Sequence, residues 1–173
     1  MDLPGFSRCR GELAGDDAGQ VWLSRLDFAL LRAELMLAAV DGEISEDELS
    51  LFRSAASRFR DNVGGLTAES LWDSALHAAG YLLLQARLLP KDGIVAAFVK
   101  EASGDLVREL AGASEEARGN VRDALEKMAS VDGDCSEVER ACIQALMLRV
   151  LEERDAARLQ RFPRGQIDDF RMI

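Results

Sequence analysis

The chain has 173 residues, 48% of them apolar, and carries 21 Lys and Arg against 31 Asp and Glu, a net charge of −10. That length and apolar content specify one compact domain with a real core and exclude a disordered chain. The acidic balance disfavours nucleic acid as a partner and fits cations, basic protein surfaces or plain solubility.

Residues 1–16 mix Gly and charge without a sustained period and read as a loosely ordered arm. A first long helix is expected from Asp17 or Gln20 to Val40, with Val21, Trp22, Leu26, Ala29, Leu30 and Leu37 recurring at helical steps. Apolar residues wrap much of its girth, which places it centrally in a bundle. Gly42 follows as its left-handed cap. Ser45 and Glu48 form a capping box for the next helix, with Ile44 and Leu49 as its hydrophobic staple. Leu49, Phe52, Ala56 and Phe59 supply its apolar stripe, and Asn62-Val63-Gly64-Gly65 ends it.

Thr67 caps a third helix that carries Leu71, Trp72, Ala75, Leu82 and Leu83 and stops before Pro90. A shorter helix is expected after Lys91-Asp92-Gly93, broken or kinked at Ser103-Gly104 and followed by a brief piece with Leu106, Val107 and Leu110. Ser114 opens another helix, with Glu115 and Glu116 near its positive end and Val121, Leu125 and Met128 inside. Gly133 closes it, and Ser136 with Glu139 caps a last helix holding Cys142, Ala145, Leu146 and Val150. Leu151 to Phe162 has few apolar residues, and 163–173 reads as an irregular tail. No strand is expected. The organisation is thus an arm at 1–16, a helical domain at 17–162 and the tail.

One stretch occurs twice. Ala38-Ala39-Val40-Asp41-Gly42-Glu43-Ile44-Ser45-Glu46-Asp47-Glu48 returns as Ala129-Ser130-Val131-Asp132-Gly133-Asp134-Cys135-Ser136-Glu137-Val138-Glu139. Helix punctuation accounts for both glycines, both serines, Glu48 and Glu139. Asp41 and Asp132 stand where a helix already presents negative carbonyls, an unfavourable place for an acid. Glu43 and Asp134 lie outside both helices. The staple pair Ile44 and Leu49 is replaced by Cys135 and Arg140 in the second copy, while the acids remain. These hard oxygen donors suit calcium or magnesium. An EF-hand is excluded, because Glu137 stands at its Gly position and Ile143 at its bidentate Glu position. Zinc is disfavoured by one Cys and no His in the loops. Punctuation and a cation site therefore both stay open as readings.

This paired motif, Ala-x-Val-Asp-Gly-acid-x-Ser-Glu-x-Glu, resembles the TerB-like tellurite-resistance family, over about residues 20–150. The resemblance implies an all-α fold, a single compact bundle of about seven helices built from two related halves. It also implies acidic clusters with a suspected role in metal binding, carried here onto Asp41, Glu43, Glu48, Asp132, Asp134 and Glu139. The implied role is a non-enzymatic accessory or sensor within a tellurite or stress-response protein assembly. A purely structural interaction module without metal is the alternative, and a metal-dependent hydrolase stands behind both.

Other chemistry finds little support. His77 is the single histidine, which excludes any two-histidine site. No phosphate-binding loop, nucleophile elbow or dinucleotide fingerprint occurs. Cys9, Cys135 and Cys142 are odd in number and scattered, so no disulfide framework is read and a cytoplasmic setting is expected. No leader pattern opens the chain, and the apolar run Ala78 to Leu89 is too short to span a bilayer. Trp22, Trp72 and Tyr81 are expected in the core. The run through Leu82, Leu83 and Leu84 is either the buried centre of the bundle or a partly exposed surface for a homodimer or a peripheral membrane contact, so monomer and homodimer both remain open.

Overall fold

In the computed structural model, residues 21–60, 67–133 and 135–161 are described. The expected arm at 1–16, the helix start at Asp17 or Gln20, the Asn62–Gly65 terminator, Asp134 and the tail at 163–173 lie outside the described residues.

The first helix, α1 (Arg25–Ala38), starts later than its apolar pattern predicts. Ser24 caps it: the Asp27 backbone N–H donates to Ser24 Oγ at 3.0 Å, and the Ser24 N–H donates to Asp27 Oδ2 at 3.2 Å. That reciprocal box fixes the start and leaves Val21–Trp22 (β1) extended. β1 pairs in parallel with Phe59–Arg60 (β2), Val21 opposite Phe59. No longer strand occurs among the described residues. α1 is buried on nearly every side, from Ala29 through Val40, which fits its place at the centre.

α2 (Glu46–Ala56) and α3 (Ala68–Leu88) begin at Ser45 and Thr67 as their capping residues dictate. α3 packs along α1 and ends at Leu89, which Pro90 holds in an extended conformation. The next helix starts directly on Pro90 rather than after Gly93. It runs as α4 (Lys91–Ala102), a π turn (Ser103–Val107) and α5 (Arg108–Ala111) in one rod. Ser103-Gly104 therefore does not break the helix. The Ser103 hydroxyl donates to Val99 O at 2.6 Å, and the π turn keeps Leu106, Val107 and Leu110 facing inward. α6 (Glu115–Ala129) starts at Ser114, and α7 (Glu137–Arg161) extends beyond the expected core helix, its last ten residues largely in solvent.

Apart from the two-residue β1–β2 pair, the described chain is thus helical, a bundle of six helices when α4, the π turn and α5 are counted as one. The core holds Leu23, Leu31, Leu35, Phe52, Leu71, Leu82, Phe98, Leu106, Leu110 and Leu125. Two aromatic expectations are corrected. Trp22 and Tyr81 are 49% and 40% exposed, since β1 lies at the rim and Tyr81 on the outer face of α3. Trp72 does pack inward, edge-on to Phe52 with ring centroids 4.9 Å apart. No described helix is long and apolar enough to cross a membrane.

Candidate functional site

The two acidic stretches build the same backbone turn over the residues described. In the first, Ala39 N–H donates to Met36 O, Val40 N–H to Leu37 O and Gly42 N–H to Ala39 O. In the second, Ser130 N–H donates to Lys127 O, Val131 N–H to Met128 O and Gly133 N–H to Ser130 O. Gly42 and Gly133 then take φ of +97° and +143°, a region that strains any residue with a β-carbon. Each glycine stands beyond a further turn rather than directly at the helix end.

The capping boxes also match. Ser45 N–H donates to Glu48 Oε2 at 2.7 Å and Glu48 N–H to Ser45 Oγ at 3.2 Å. Ser136 N–H donates to Glu139 Oε2 at 2.7 Å and Glu139 N–H to Ser136 Oγ at 3.2 Å. Glu48 and Glu139 are both buried by these contacts. Asp41 closes a turn inside its own loop, Oδ1 accepting from the Glu43 N–H at 3.1 Å. It does not reach the next helix. Asp41, Glu43 and Asp132 are exposed as residues, the Asp41 carboxyl being only partly desolvated.

Residues of the two corners, far apart in sequence, lie within electrostatic reach of one another. Burial raises the Glu48 carboxyl to about 6, against its Ser45 hydrogen bonds, and the charges of Asp132 and Glu139 add to the rise. Burial raises Asp41, with Asp132 and Glu43 adding to it against the Glu43 hydrogen bond. Glu139 rises by burial first, then through Asp41 and Asp132, against its bonds to Ser136. Asp132 thus bears on three carboxyls, two of them in the other corner. The arrangement gathers negative charge that a cation would neutralise. Among the described residues, however, no three His, Cys, Asp or Glu side chains form a group that could hold a metal ion. One oxygen of each buried glutamate is already engaged as a cap.

Of the predicted site residues, Asp41, Glu48, Asp132 and Glu139 lie near enough for their charges to act on one another, without forming a group that could hold a metal ion. Glu43 contributes its backbone N–H and a minor charge effect on Asp41.

Three features escaped the sequence reading. Glu34 is buried inside α1, its carboxyl pushed up to about 8 by burial, with Lys127 pulling the other way. Its only sequence signal is one acid amid apolar neighbours. Lys91 pairs with Glu137, tying the start of α4 to the start of α7 and holding Glu137 below the ordinary carboxylate value. A groove of about 530 Å³ lies along α6 and α7, lined by Arg122, Glu126, Cys135, Ile143, Met147 and Leu151. Burial and Glu139 raise the Cys135 thiol there, so it is no ready nucleophile. His77 is exposed on α3.

No family model, curated protein or solved structure matches the chain.

Proposed function

We propose that the chain is a TerB-like, non-enzymatic accessory or sensor protein of the tellurite-resistance or stress-response type, built from two related halves. In this reading it works in the cytoplasm beside the proteins of a stress-response assembly. The two acidic corners act as one element that takes up a divalent cation, calcium or magnesium. The observation that carries the reading is the convergence of the corners: Asp132 acts on Asp41, Glu48 and Glu139 at once. Buried register supports the two halves. Leu30 and Val121, Leu37 and Met128, Phe52 and Ile143, and Ala55 and Leu146 stand at equal distances from their Asp and are all buried.

The donors are hard oxygens, yet no closed cage is present among the described residues. Magnesium, which keeps several of its waters, fits such a site better than a fully dehydrated ion. Asp41 and Asp132, neither of them engaged as a helix cap, are the direct or water-mediated contacts, and the buried glutamates set the field. Cation uptake requires ionised carboxylates, so affinity falls as the pH drops toward and below about 6, where Glu48 protonates.

Calorimetric titration with calcium, magnesium and manganese tests this. A saturable heat with a raised melting temperature is expected, and both are lost in the Asp41→Asn/Asp132→Asn double variant. Absence of heat together with an unchanged melting temperature sinks the cation reading. It would leave a purely structural interaction module, which the complete capping boxes at Glu48 and Glu139 favour.

A further inference from the structure

α3 carries an outer face that no described element covers. Leu76 is 49% exposed and Leu84 60%, and they lie four residues before and after Gly80. At 3.6 residues per turn both fall within about 40° of Gly80 on the helix surface. Gly80 sits mid-helix, where glycine is a poor residue. Its φ is not positive, and no atom lies within 4 Å of the place a β-carbon would occupy. Neither turn geometry nor intramolecular packing explains it. What a mid-helix glycine permits is close approach by another backbone.

Charge is arranged about the same point. Asp73 lies seven residues before Gly80 and Arg87 seven after, both exposed and within about 20° of it on the helix. Neither has an ion-pair partner among the described residues. The face is therefore antisymmetric in charge and symmetric in apolar side chains about Gly80. Such a face is complementary to itself when two copies run antiparallel. Leu76 of one copy then meets Leu84 of the other, and Asp73 meets Arg87, twice over. That is the pattern of an isologous two-fold contact.

We propose that the protein forms a homodimer through antiparallel α3 helices crossing at Gly80. The contact is independent of the acidic corners. Tyr81, 40% exposed, flanks the crossing, and Leu88, 77% exposed, extends the apolar strip beyond Arg87.

Sedimentation equilibrium of the full chain, at concentrations up to about 1 mM, reads the association. A monomer–dimer equilibrium is expected. Leu84→Glu sets a charge against Leu76 of the other copy at both ends of the strip and makes the chain monomeric, while circular dichroism confirms retained helix. Asp73→Arg and Arg87→Asp each put like charges opposite one another and weaken the dimer by about tenfold or more. Mixing those two variants restores opposite charges at both ends, so a heterodimer forms where neither variant associates alone. A chain monomeric throughout the range overturns the proposal. So does a dimer indifferent to Leu84→Glu, or a mixture that fails to associate while wild type dimerises.

Discussion

Glu34 on α1 and Leu125 on α6 both stand seven residues ahead of a corner aspartate, and both are buried. One is a carboxylate and the other a plain core residue. Eleven residues beyond each aspartate, Phe52 and Ile143 are buried in turn. Between these points the described backbone bonds of the turns agree, as do the capping distances of 2.7 and 3.2 Å. The surroundings differ. The first corner keeps Ile44 and Leu49 packed against the core. The second keeps Cys135 packed against the core but has Arg140 in place of the leucine, its Nη2 donating to Cys135 O at 3.2 Å. Backbone turn and caps are thus constrained more tightly than the side chains around them. A helix–turn–helix of fixed geometry can be set into two environments as long as its punctuation survives.

Unequal core anchoring should give the largest difference between the two units. α2 spans 11 residues and buries only Glu48, Phe52, Ala55 and Ala56. Phe52 is fully buried and meets Trp72 edge-on. On α7 the load is shared by Cys142, Ile143, Leu146 and Val150. Phe52→Ala is expected to cost about 4 kcal/mol and Ile143→Ala about 3 kcal/mol, read by chemical denaturation. Equal losses would remove the asymmetry argued here.

Glu34 should give the next largest effect, and of opposite sign. Its carboxyl rises from 4.5 to about 8 on folding because the charged form is desolvated. The folded state therefore holds the proton more tightly than the unfolded chain. The associated stability is complete below pH 4.5 and is lost as the pH rises through about 8. By pH 7 the loss already amounts to about 3 kcal/mol. Glu34→Leu, which installs the residue found at the matching position on α6, should raise stability at pH 7 by about that amount and flatten the fall between pH 5 and 8. Denaturant midpoints of both proteins across that range decide it. A destabilised variant would mean that Glu34 and Lys127 hold the core together rather than tax it.

Much of this fold is local chemistry and so was legible along the chain. Ser45, Thr67, Ser114 and Ser136 mark helix starts because a side-chain oxygen reaches a backbone N–H three residues on. The start of α1 was misread because Val21 and Trp22 fit the helical period, while the box made by Ser24 and Asp27 lay inside the presumed helix. Ser103-Gly104 reads as a break or a kink, and the structure has a π turn there without a break, because propensity cannot register the inward pull on Leu106 and Val107. At the site, the repeat named the acids but not their meeting. That Asp132 acts on Asp41 and Glu48 depends on how α2 packs against α6, a tertiary fact without local signature. Glu34 was silent for the same reason, since burial comes from the neighbours of α1 and not from its own residue type.

The smallest effect tests the corners most directly. Ser45→Ala and Ser136→Ala each remove the oxygen that accepts the third backbone N–H of a helix, a loss of about 1 kcal/mol. Matching bond lengths predict matching losses if capping acts alone. The half-buried Ile44 and Leu49 give the first corner a second hold on the entering chain. The second corner keeps only Cys135 of that pair against the core, beside an exposed Arg140–Cys135 hydrogen bond that water competes for. Ser136→Ala should therefore fray its helix further than Ser45→Ala frays α2. Hydrogen exchange at the Glu139 and Arg140 amides, against Glu48 and Leu49, reads that difference. Equal fraying would show that the apolar pair adds nothing to the first corner, and that the exchange of Ile44 and Leu49 for Cys135 and Arg140 is neutral for the turn.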